Sequence, residues 1–158
     1  MASLTIKQAN RENLKDLDFI RECKLPKLHE KRFIFQDKGK SNYYIFFKDG
    51  IPVGHVDVIF KSRIKYHKCP VLQDLYVKKS ERKKGFGKNI LNQVGKKLKP
   101  MGYKYMGLDV EKKEPGLRKF YESCGFKVYG EPHRQIWIEK DNNNKKISAI
   151  IFHLGLKL

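Results

Sequence analysis

Seven consecutive residues, Arg82-Lys83-Lys84-Gly85-Phe86-Gly87-Lys88, combine two glycines with four cations, the residue types that hold a phosphate ester. The first turn of a helix leaves backbone N–H groups unpaired and carries the positive end of the macrodipole. Gly85 and Gly87 lack Cβ atoms, so a phosphate can come close to such N–H groups, while Arg82 and Lys88 add charge. That chemistry requires the run to open a helix, and its flanks agree. Val71 to Val77 is β-rich and bounded by Pro70 and a charged turn, which predicts a strand. After the polar Lys78 to Lys84 segment, Ile90, Leu91, Val94 and Leu98 recur at helical spacing.

Three better-known phosphate or nucleic-acid motifs do not fit these positions. A nucleoside-triphosphate loop needs glycine at Arg82 and Ser or Thr at Asn89. A dinucleotide G-x-G-x-x-G needs glycine at Ile90. An RNA-recognition signature matches Lys84-Gly85-Phe86-Gly87 but breaks at Lys88 and Asn89, and belongs on a strand rather than at a helix start.

Arg82, Gly85 and Gly87 resemble instead the [Q/R]-x-x-G-x-[G/A] signature of the GNAT superfamily of N-acetyltransferases. Leu75-Tyr76-Val77 looks like that family's central strand. Lys119-Phe120-Tyr121-Glu122-Ser123-Cys124-Gly125-Phe126 resembles its second signature, a helix ending in Tyr-x-x-x-Gly-Phe. The resemblance covers Ile51 to Tyr129 firmly and the ends loosely.

The resemblance implies that acetyl-CoA and a primary amine meet in one ternary complex and that the acetyl group moves directly. The coenzyme contacts it implies are the main chain of Leu75, Tyr76 and Val77, the loop residues Arg82, Lys83, Lys84, Gly85, Phe86, Gly87 and Lys88, and Glu114 and Lys119 of the second motif. Near Glu114 the family often carries Asn. N–H groups near Leu75 and Tyr76 would hold the thioester carbonyl and its developing oxyanion. Tyr121 matches the general acid that protonates the departing thiolate. An alkyl amine with a pKa near 10.4 is mostly protonated at neutral pH, so a base or a water chain must take its proton. Asp74 is the candidate, with a structural cap or a substrate anchor as its other readings. Some polyamine-acetylating relatives carry a second acid at the neighbouring position, where this chain has Gln73, which argues against a polyamine acceptor. No covalent intermediate is implied, so Cys124 reads as packing.

With 158 residues the chain is expected to form one domain, 1–158. No apolar run approaches a membrane span and the start lacks a signal-peptide stretch, so no membrane contact and a cytoplasmic location are expected. Cys23, Cys69 and Cys124 form no framework, and no C-x-x-C pair suggests zinc, so no metal is expected. The formal charge is +18; from Lys61 to Lys104, fourteen Lys or Arg stand against Asp74 and Glu81 alone, a net +12. Such a field attracts polyanions, whether coenzyme A or RNA. A small-molecule amine is the first acceptor reading. A ribosomal protein or aminoacyl-tRNA, or a non-catalytic RNA-binding module, are the others, and a homodimer through the Ile147 to Leu154 strand is open.

The remaining elements follow in order. Ser3 to Gln8 predicts an edge strand, and Asn10 caps a helix patterned by Leu14, Leu17, Phe19 and Ile20 that Leu25-Pro26 ends. Lys27 to Lys40, basic with Phe33 and Phe35, has no clean period: the resemblance implies a region that helps shape the acceptor pocket, and a loop whose two Phe residues dock on the core is the other reading. Asn42 to Phe47 and Ile51 to Phe60 form a hairpin about Asp49-Gly50, with Pro52 and Gly54 marking an irregularity and His55 and Asp57 sharing a face. After Pro100-Met101-Gly102 come a strand over Tyr103 to Val110, a helix from Pro115 closed by Gly125, and strands at Phe126 to Tyr129, Arg134 to Glu139 and Ile147 to Leu154. A turn is expected at Asp141-Asn142-Asn143-Asn144. Composition supports a mixed α/β domain. The resemblance makes it a mostly antiparallel sheet of six to seven strands flanked by helices, the acyl-CoA N-acyltransferase fold.

Overall fold

The computed structural model describes residues 3–61, 67–139 and 143–158. Asn10 accepts the Glu12 N–H at 2.9 Å and caps a 3-10 turn, Arg11–Asn13, that runs into α1, Leu14–Arg21. Pro26 does not end that helix. It occupies the first turn of a second one, α2, Pro26–Asp37, where its missing N–H costs nothing. The segment that could be read as a loop is therefore helical. Its period is hidden because the face it buries carries His29 and Arg32 beside Phe33, so no apolar stripe exists to read.

Strands β1 (Thr5–Gln8), β2 (Ser41–Lys48), β3 (Ile51–Ile59), β4 (Val71–Val77), β5 (Tyr105–Glu111), β6 (Lys127–Val128), β7 (His133–Glu139) and β8 (Lys145–Lys157) make one sheet of eight, one more than the expected upper count. The order is β1-β2-β3-β4-β5-β8, with β6 and β7 both on the outer edge of β8. All pairings are antiparallel except β4 with β5. β5 pairs along Ile151 to Lys157 on one edge of β8, and β7 along Lys145 to Ile151 on the other. The β2–β3 hairpin turns as expected, with Asp49 at φ +49 and Gly50 at φ +79, and its register slips opposite Pro52 to Gly54. Part of the expected Asn-rich turn lies outside the described residues.

Alternation along β2 divides the core. Tyr43 and Ile45 face α1 and α2, packing with Leu17, Ile20 and Phe33. Tyr44 and Phe46 face the opposite layer. That layer holds α3, Phe86–Leu98, and α4, Pro115–Ser123, which bury Phe86, Ile90, Leu91, Val94, Leu98 and Tyr121. Phe19 falls outside the first core, half exposed beneath the Lys78 ammonium, whose Nζ donates to the Phe19 carbonyl at 2.9 Å. Lys78 thereby ties the end of α1 to the strand that carries the site.

Because Phe33 is the main apolar anchor of α2, Phe33→Ala should destabilise the protein by about 3–5 kcal/mol. Urea unfolding measures this; a loss below about 1 kcal/mol would mean that α2 is not docked as described.

Candidate active site

The central strand is irregular where the site lies. Between the pairs His55–Tyr76 and Asp57–Gln73, β4 carries one residue more than β3, and Asp74 within that interval has φ +54. A bulge of this kind bends its strand away from a neighbour. The consequence is visible on the other edge, where β4 meets β5 in register only at Val71 and Gly107. Beyond that point the strands part, leaving the β5-facing main chain of Leu75 to Val77 open to a guest that could pair with it.

The gap leads to a cavity of 470 Å³ lined by Leu75, Val77, Glu81, Arg82, Lys83, Gly85, Phe86, Gly87, Lys88, Leu117, Phe120 and Tyr121. At its mouth Gly85, at φ +82, is the N-cap of α3. The first main-chain bond into α3 is from the Asn89 N–H to the Gly85 carbonyl at 3.2 Å, and the amides of Gly85, Phe86, Gly87 and Lys88 meet no acceptor among the described residues. These are the free donors of a helix start. A Cβ on Gly87 would lie 3.1 Å from the Phe120 ring, so glycine there keeps α3 and α4 close around the cavity. Arg82 is shaped by its surroundings, its Nε donating to the Val77 carbonyl at 2.9 Å with the guanidinium 4.9 Å from the Tyr76 ring centre. Across the cavity, burial above all pushes the Tyr121 phenol up to about 12. It is a neutral O–H donor at physiological pH, and the residue lines the cavity.

A second cavity, of 780 Å³, lies on the other side of the bulge, lined in part by Phe35, Lys40, Phe60, Gln73, Asp74 and Asp109. The two cavities touch consecutive residues of β4, Asp74 in one and Leu75 in the other. Asp74 is gripped from α1 and α2: Arg21 Nη1 donates to both carboxylate oxygens at 2.8 and 3.0 Å, and Arg32 Nη1 to Oδ2 at 2.7 Å. Burial alone would raise the Asp74 carboxyl, but its cationic neighbours outweigh it and hold it below the usual range. His55 is a weak contributor, because burial pushes its imidazole down to about 3 and leaves it neutral. The two guanidiniums do the holding. Asp57 behaves oppositely, since burial lifts it to about 6 against the pull of Arg32, 3.8 Å away.

Of the residues expected at the site, Leu75, Val77, Arg82, Lys83, Gly85, Phe86, Gly87, Lys88 and Tyr121 line one cavity. Tyr76 turns its ring away, stacked on His55 at 5.7 Å and under Arg21 at 4.3 Å, so only its main chain faces the coenzyme side. Lys84 is taken up by Glu81 at 2.9 Å, and the exposed Glu114 and Lys119 do not line the cavity. The residues that sequence reasoning missed are Arg21 and Arg32. Their one forewarning is an acid within an otherwise uncharged strand, which must find cations on whatever packs against it.

The acetyltransferase (GNAT) family pattern matches residues 11–126. No curated protein sequence gives a match. Among solved structures, the chain is similar to spermidine N-acetyltransferase from Vibrio cholerae in complex with CoA and spermine, with 16% identity, TM-score 0.74, and coverage of 98% of this chain and 95% of that one. Ribosomal-protein-S18-alanine N-acetyltransferase from Escherichia coli shares 16% identity at TM-score 0.70, covering 98% and 94%. An acetyltransferase from Bacillus subtilis in complex with CoA shares 16% at TM-score 0.66, covering 100% and 99%. With a helix start of free amides, a splayed central strand and a family pattern over most of its length, the chain belongs to the acetyltransferase (GNAT) family and is an N-acetyltransferase.

Proposed function

We propose that the chain moves acetyl from acetyl-CoA directly to the primary amine of a small polar molecule, the amine entering through the cavity at Asp74 and the coenzyme through the cavity at Gly85. The observation that carries this reading is that Gly85 to Lys88, with their unpaired amides, and Tyr121 line one cavity. When bound, acetyl-CoA supplies the acyl thioester. The amides, with Arg82, Lys83 and Lys88, receive its diphosphate, and the main chain of Leu75 to Val77 carries its pantetheine arm. N–H groups at the bulge polarise the carbonyl. As the amine nitrogen bonds to the acyl carbon and the C–S bond breaks, Tyr121 gives its proton to the thiolate and is reprotonated by the second proton that the nitrogen loses on becoming an amide.

Asp74 is a poor base here, because two arginines stabilise its charge. Its part is to hold the bulge. The ammonium proton passes through water to Asp57, whose pKa of about 6 suits an acceptor near neutrality and whose strand partner Gln73 lines the acceptor cavity. Two arginines against two carboxylates leave the cluster no net negative charge, which disfavours a polycation as acceptor. The basic surface favours one further reading, an amine presented on a ribosomal protein or RNA.

Calorimetric titration with acetyl-CoA should give micromolar binding that weakens with salt; no binding would refute the reading. Thioester-release assays against small amines, polyamines and N-terminal peptides would then rank the acceptors. Tyr121→Phe should lower kcat about 100-fold with little change in coenzyme affinity, and an unchanged kcat would remove Tyr121 from the mechanism. Because a base works when deprotonated, kcat/KM should fall as pH drops through about 6. Asp57→Asn should erase that inflection while leaving the single-proton rise that comes from the amine itself. Identical profiles would exclude Asp57.

A further inference from the structure

On the far side of the acceptor cavity three residues from distant parts of the chain converge. His67 Nε2 and His153 Nδ1 each lie 2.6 Å from Asp109 Oδ1, and the two nitrogens are 3.3 Å apart. Both imidazole side chains are fully buried, whereas the Asp109 carboxylate is 21% exposed and lines the cavity. We propose that His67, Asp109 and His153 form a three-ligand site for a divalent transition-metal ion of the zinc class, with its open coordination position facing the acceptor cavity. This departs from the metal-free expectation, which rested on local spacing. Residues 67, 109 and 153 meet only in the folded chain.

The donor set and its geometry support the ion. Two imidazoles and one carboxylate with an open position are a catalytic-type zinc set, and zinc bonds of about 2.0–2.1 Å at tetrahedral angles put donors about 3.3 Å apart. The two nitrogens already have that separation. The Asp109 oxygen must retreat by roughly 0.7 Å to admit an ion, and it belongs to the member that opens on the cavity.

The outer partners support both protonation patterns. In the metal-free arrangement the two imidazole N–H groups donate to Asp109, leaving His67 Nδ1 and His153 Nε2 as acceptors. His67 Nδ1 then accepts from the Tyr129 hydroxyl, and His153 Nε2 from His133 Nδ1, 2.7 Å away. Moving each proton to the opposite ring nitrogen frees His67 Nε2 and His153 Nδ1 for the metal, and the same partners become acceptors. Such outer-shell bonds orient metal-binding histidines. Gly107 makes room: a Cβ there would lie 2.9 Å from His67 Nδ1. The site does not depend on acetyl transfer and stands or falls separately.

The test is a Co2+ titration of untagged, chelator-treated protein, followed by visible absorption, alongside Asp109→Asn and Tyr129→Phe. One equivalent should produce the intense d–d bands of a low-symmetry site, displaced by Zn2+ and not by Mg2+. Asp109→Asn should abolish them while circular dichroism shows a folded chain, and Tyr129→Phe should weaken binding roughly 10- to 100-fold. Zn2+ should raise the Tm of the wild-type protein and not of Asp109→Asn. Absent bands, or the same weak binding and unshifted Tm in both proteins, would reduce the cluster to a hydrogen-bonded network and overturn the proposal.

Discussion

The ion pairs that fasten Asp74 to α1 and α2 are the constraint on which the rest of the site depends. A non-glycine residue at φ +54 costs of the order of 1–2 kcal/mol, more easily borne by Asp than by most side chains. Left alone, β4 would gain by straightening and continuing its ladder with β5. Two guanidiniums at 2.7–3.0 Å from a partly buried carboxylate favour the bent form. Such pairs reward geometry more than stability, since desolvation of three charged groups cancels much of their attraction. The return is structural: β4 pairs with β5 only at Val71 and Gly107, and its consecutive residues Asp74 and Leu75 line two different cavities.

Charge is deployed differently at the bulge and at the glycine loop. At the bulge every strong charge is matched, and Asp74, Arg21 and Arg32 form a partly buried group with fixed geometry. At the loop, the lysines and Arg82 lie exposed around unpaired amides. The exposed set attracts a polyanion over a range set by the Debye length, about 8 Å at physiological ionic strength, and the amides then fix it in place.

How much of this was legible in the sequence follows from how local each signal is. The strand, glycine loop and helix from Val71 to Leu98 could be read because each rests on neighbouring residues: β-branched and aromatic side chains, a glycine N-cap, and an apolar stripe. The hairpin at Asp49-Gly50 was equally local. Helix α2 was not, because tertiary contacts pay for burying His29 and Arg32, and burial of polar groups erases the periodicity on which reading depends. For the same reason Asp74 could be singled out but its arginines could not, since they come 53 and 42 residues earlier on helices whose orientation no local pattern encodes. The His67, Asp109 and His153 cluster is the extreme case, assembled across most of the chain.

The central claim is that the helix start at Gly85 and the open edge of β4 receive one coenzyme molecule together. Amide chemical shifts followed during a titration with coenzyme A address it most directly. The account predicts that the largest changes fall jointly on Leu75 to Val77 and Gly85 to Lys88, saturating together with a single affinity. Changes confined to scattered surface lysines, or to one of the two segments, would contradict it.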